Sequence, residues 1–119
     1  MRCSRFVWVT AIVGLLLSTA AQAFWRLDTF PILTQAQAVA SPTALATEVD
    51  GKVWLFTLGP PNASSPGGSK VAQIGPVPSI AAPEYLLRVV RSGGSPGAKT
   101  AVHTHPGSDT FYVLNGELT

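Results

Sequence analysis

Apolar positions fall into two patterns along this chain. Phe6 to Leu17 is an apolar run without charge, whereas from residue 51 onward apolar residues come in short runs cut by Gly, Pro and Ser. Val53-Trp54-Leu55-Phe56-Thr57-Leu58 is continuous and β-prone between Gly51 and Gly59-Pro60-Pro61, which predicts a buried strand. Gly59 to Ser69 is rich in Pro, Gly and Ser and predicts an exposed loop; within it Asn62-Ala63-Ser64 matches a glycosylation acceptor. Val71 to Ile74 predicts a short strand closed by Gly75-Pro76 and Pro78. Glu84 to Arg91, Lys99 to His105 and Thr110 to Leu114 predict three more, separated by turns at Ser92 to Gly97 and at Pro106-Gly107. Asn115-Gly116 is the strongest hairpin signal, because both residues accept the positive φ of a type I′ turn, and Glu117-Leu118-Thr119 is expected to open the returning strand.

Before residue 51 the signals are mixed. Phe24, Trp25, Leu27 and Phe30 are apolar, Pro31 interrupts them, and an Ala/Gln/Thr stretch with Pro42 follows. Gln35 to Ala40 has the composition for a helical turn or two, without a cap or a sustained 3.6-residue period. Residues 24–51 are therefore read as an irregular N-terminal arm. Short strands with Gly/Pro turns predict an all-β sandwich or barrel over residues 52–119.

The first residues follow a different plan. Arg2 and Arg5 are basic, the apolar run comes next, and Ser18 to Ala23 supplies small and polar residues ending in Ala21-Gln22-Ala23. That order is the plan of a secretory signal peptide, here residues 1–23 with cleavage after Ala23. The run falls short of the about 20 residues a membrane-spanning helix needs. The expectation is a secreted or periplasmic protein without stable membrane association after cleavage.

Charge then changes meaning. The 119 residues carry eight Lys and Arg against six Asp and Glu, and two of the arginines lie in the signal. The remainder is neutral and has no basic cluster to track a phosphate backbone, so nucleic acid is not an expected partner. The single cysteine, Cys3, also lies in the signal, so an exported domain would depend on core burial rather than disulfides.

The chain has two histidines, His103 and His105, at i and i+2 of a predicted strand. Side chains two apart on a strand share a face, so both imidazoles project together. Asp109 follows across the Pro106-Gly107 turn, where its carboxylate could approach both rings. Two imidazoles and a carboxylate with open positions form the facial arrangement used by non-heme iron and related divalent metals. From spacing alone two polar residues on an outward face, with Asp109 serving a turn, account for the pattern equally well.

Gly97, five residues, His103-Thr104-His105, three residues, Asp109, six residues and Gly116 resembles the first motif of the cupin superfamily. That motif is Gly, five residues, His-x-His, three or four residues, Glu, six residues and Gly. The Pro-Gly after the second histidine and Phe111 to Leu114 before Asn-Gly are similar too; the likeness runs from about Glu84 to Thr119. The resemblance implies a jelly-roll-like antiparallel β-barrel holding a divalent metal (Fe, Mn, Ni or Zn). His103 and His105 would be ligands, Asp109 would stand at the family's glutamate, and Gly97 and Gly116 would be turn residues. Aspartate is one methylene shorter than glutamate, so direct ligation needs a closer backbone or a bridging water. The family's second motif, with its further histidine, has no counterpart here.

The expectation is accordingly a partial cupin-type barrel. It is read as a fragment, a half-barrel completed through its open sheet edge in a homo-oligomer, or a short variant without metal. Three functions follow: a metal-dependent enzyme acting on a small organic molecule, a non-catalytic module binding a small molecule or metal, and a non-functional fragment. The catalytic residues and the substrate are not legible. Trp54, Phe56, Tyr85 and Tyr112 read as packing residues.

Overall fold

The computed structural model describes residues 22–78 and 81–119; the basic and apolar segment expected to be a signal peptide lies outside them, apart from Gln22 and Ala23. The described residues are mostly β, as the all-β expectation has it. They form strand β1 (Ala23–Phe30), a short helix α1 (Leu33–Ala38), β2 (Ala44–Val49), β3 (Lys52–Gly59) and β4 (Ser69–Val77). The four strands make one open antiparallel sheet in the order β2-β3-β1-β4.

The expected strand at Val53 to Leu58 is β3, an inner strand with neighbours on both sides. The residues read as an irregular arm contain the other inner strand, β1, together with α1 and β2. Directly opposed residues of antiparallel strands share a face, so the registers divide the sheet. Phe24, Arg26, Asp28 and Phe30 lie with Val53, Leu55 and Thr57 and with Ala44, Ala46 and Glu48. Trp25, Leu27 and Thr29 lie on the other face with Trp54, Phe56 and Leu58.

The core sits on the first of these faces. Phe30, Val53, Leu55 and Ala44 pack against Ala36 of α1, with Leu33, Val39 and Ala46 around them. No side chain caps α1 at Ile32; its last turn closes through Val39 N–H to Ala36 O and Ala40 N–H to Gln37 O, both 3.2 Å. Burial of Ala36 holds a helix too short to persist alone, which is why periodicity did not mark it.

β2 and β3 are joined by a two-residue turn, Asp50-Gly51, with φ of 50° and 76° and Val49 opposite Lys52. Positive φ at both central residues is the type I′ condition. β4 runs through Gly75-Pro76 instead of stopping there, and the register of β1 on β4 shifts between Ala23 and Trp25. β4 is an edge strand, where a proline removes no needed ladder donor. The loop before β4 is mostly exposed, but Ser65 turns inward and donates its Oγ–H to Asp28 Oδ2 at 3.2 Å.

The strands expected at Glu84 to Arg91, Lys99 to His105 and Thr110 to Leu114 do not form, nor does the Asn115-Gly116 hairpin; residues 81–119 join no ladder among the described residues. Gly116 has φ of 86° but Asn115 lacks the positive φ a type I′ turn requires. β propensity expresses the fit of a side chain to a half-buried, paired surface, and these segments have no ladder partner among the described residues. Leu86 is 87% exposed and Val102 fully so.

Candidate metal centre

Residues 81–119 touch the sheet and the residue that follows β4. Arg91 Nε lies 3.5 Å from Asp50 Oδ1 at the β2–β3 turn, Ser108 donates its Oγ–H to Pro78 O at 3.3 Å, and Tyr112 meets Trp54 edge-on. The histidines lie between the first and second of these points. A turn precedes them, closed by Ala98 N–H to Ser95 O at 3.0 Å, with Gly97 at φ 80°. Pro96 and a positive-φ glycine after it suit a type II turn, the turn role foreseen for Gly97.

The two imidazoles lie side by side, although the strand expected to align them does not form. Their Nε2 atoms are 2.8 Å apart and their ring centroids 4.7 Å apart. His103 Nδ1 is 2.8 Å from Ala101 O. A carbonyl can only accept, so His103 Nδ1 carries the proton and its Nε2 presents a lone pair. His105 Nε2–H is then the donor between the rings. Asp109 Oδ2 lies 3.5 Å from His105 Nε2. The carboxylate thus comes to one ring of the pair.

All three side chains are exposed: those of His105 and Asp109 keep 49% and 43% of their accessible surface. The resemblance implies ligands inside a barrel, whereas here they sit on an unpaired segment. Two imidazole nitrogens bound side by side to one metal at about 2.0–2.1 Å stand about 3 Å apart. The Nε2 pair meets that spacing, and the Nδ1 contact to a backbone carbonyl is the usual support of a ligating histidine. The donor chemistry of the pair therefore fits a divalent metal. No group of three or more His, Cys, Asp or Glu side chains among the described residues is arranged to hold one.

Trp54 and Tyr112, read as packing residues, do pack, and Trp54 also stacks on Phe56 with centroids 6.1 Å apart. Beside them Val49, Lys52 and Leu114 line an open cleft. Sequence reasoning passed over a buried polar group on β1. Arg26 and Asp28 both point to the core face and are 6% and 2% exposed. Their alternation with Trp25, Leu27 and Thr29 was the available signal for it.

No family model, no curated protein and no solved structure matches this chain.

Proposed function

We propose that this chain is an exported cupin-type protein that binds a divalent metal through His103 and His105, with Asp109 as the third donor. One observation carries the proposal: two Nε2 atoms 2.8 Å apart, with His103 already held in the ligating tautomer by Ala101 O. The cupin-like spacing from Gly97 to Gly116 supports it, as does the basic, apolar and small-residue order of residues 1–23. His103 and His105 would hold the metal, and Asp109, with Oδ2 3.5 Å from His105 Nε2, would complete the donor set. A bound divalent metal would supply Lewis acidity or fix the position of a small organic ligand.

A second reading is a non-catalytic module that binds a metal or small molecule, and exposure of the three donors favours it. Catalysis gains from a site that excludes water, and these side chains face solvent. A second copy of the chain pairing with an edge strand, β2 or β4, is part of either reading.

The test is metal binding by the full chain after chelation. Mn²⁺, Fe²⁺, Ni²⁺ and Zn²⁺ are titrated calorimetrically, with circular dichroism following β content. One metal ion bound per chain, lost in both His103→Ala and His105→Ala, is the expected result. Binding that survives either substitution, or no binding at all, would reject the site. Turnover of any substrate from a panel would separate the enzyme from the binding module.

A further inference from the structure

We propose that Arg26 and Thr57 form a binding site for a small oxyanion, a carboxylate or phosphate group, on the core face of the sheet. Arg26 on β1 and Thr57 on β3 are direct partners across the ladder, so their side chains leave the sheet on the same side. Arg26 is 6% exposed, and its Nε and Nη1 are buried without a hydrogen-bond partner among the described residues. Thr57 Oγ1 is buried and unpartnered in the same way.

These atoms specify their complement. Guanidinium N–H groups only donate, and a hydroxyl can donate beside them, so the missing group is an acceptor. The guanidinium is always charged, which selects an anion over a neutral acceptor. Asp28 lies two residues along on the same face, but its Oδ2 receives the Ser65 Oγ–H, and no ion pair joins it to Arg26 among the described residues. Gln73, opposite Arg26 on β4, has its Oε1 occupied by the Asn62 N–H at 2.9 Å and by Lys70 Nζ at 2.8 Å.

Burying a charge without a partner is costly, and bound water or an ion is one way in which a native protein satisfies such a group. A carboxylate or phosphate brings both the acceptor oxygens and the opposite charge, in the pairing that guanidinium groups favour most. The site lies within the sheet, on strands that hold none of the three metal donors, so it stands or falls independently of His103 and His105.

The experiment follows thermal unfolding of the full chain in chloride, with inorganic phosphate in one arm and acetate in the other at matched ionic strength. An anion that binds only the folded state raises Tm with its concentration, and the responding arm separates phosphate from carboxylate. Thr57→Val keeps the β-branched shape and is expected to weaken the apparent affinity about tenfold, the loss of one charge-assisted hydrogen bond. Arg26→Gln is expected to abolish the response. Should that variant not fold, Arg26→Lys keeps the charge with fewer donors and is expected to weaken binding about tenfold or more. A Tm no higher in either arm than in chloride alone would overturn the site and leave ordered water as the partner of Arg26. A response equal in the unaltered chain and in Thr57→Val would overturn it as well.

Discussion

Tyr112 stands edge-on to Trp54, with ring centroids 5.8 Å apart and planes at 62°, and so fastens the segment that carries both histidines to an inner strand of the sheet. Aromatic pairs in this geometry contribute about 0.5–1.5 kcal/mol beyond the area they bury. A double-mutant cycle of Tyr112→Leu and Trp54→Leu, read by urea unfolding, is expected to return a coupling in that range. Additive single effects would mean that the segment does not rest on the sheet through this pair.

Gly51→Ala is expected to destabilise the chain by about 1 kcal/mol or more, because an L side chain is strained at φ 76°. Space is not the cause, since a Cβ there would meet nothing within 4 Å. Asp50→Asn should have a small effect, as asparagine accepts positive φ as readily as aspartate does and only the solvent-exposed 3.5 Å pair with Arg91 is lost. Urea midpoints of the two variants test this, and equal midpoints would contradict the type I′ turn.

Gly68→Ala acts through volume instead. A Cβ at residue 68 would lie 2.8 Å from two ring atoms of Phe30 and 3.3 Å from Asp28 Cβ. Phe30 is buried against the helix-side core and has little room to retreat. Overpacking of this kind costs about 1–3 kcal/mol. A combined Gly68→Ala, Phe30→Leu variant should lose less than the sum of the two single changes in thermal unfolding. Strict additivity would place the loop away from Phe30.

Asp109→Glu lengthens the side chain by one methylene and introduces the residue type found at this place in the cupin motif that the segment resembles. Since Asp109 stops 3.5 Å from His105 Nε2, the longer carboxylate is expected to tighten divalent-metal binding several-fold, while Asp109→Asn weakens it. Calorimetric titration of the three proteins with Zn²⁺ or Mn²⁺ gives the order directly. Identical affinities would remove Asp109 from the donor set.

Cleavage after Ala23 is expected to give a product whose first residue is Phe24, checked by intact mass of the exported protein. β1 begins at Ala23, and its pairing with β3 starts at Phe24 opposite Gly59, so that cut leaves the whole β1–β3 ladder in place. A product beginning beyond Trp25 would lack part of an inner strand and contradict the assignment.

How far these features were legible depended on how local their causes are. β3 was readable because Val53 to Leu58 is apolar on both faces and bounded by Gly and Pro on its C-terminal side. β1 was not, because reading it as a strand puts Arg26 and Asp28 on the core face, against the ordinary penalty for burying charge. The tandem histidines were legible as a pair, although the strand expected to align them does not form. Their exposure, and the approach of Asp109 to only one ring, were not.

The two Xaa-Gly turns show where local chemistry stops being sufficient. Asp50-Gly51 and Asn115-Gly116 carry equivalent turn signals, yet only the first closes a hairpin. Residue types alone set the turn-prone positions, the β-prone runs and the histidine spacing, all of which act within a few neighbouring residues. Which runs became strands depended on contacts distant in sequence: β2 and β1 lie on either side of β3, α1 covers the face that holds Leu55, and residues 81–119 have no ladder partner among the described residues. A strand is stable only when another backbone satisfies its N–H and C=O groups and another layer covers its apolar side chains, and neither condition is written in the strand itself.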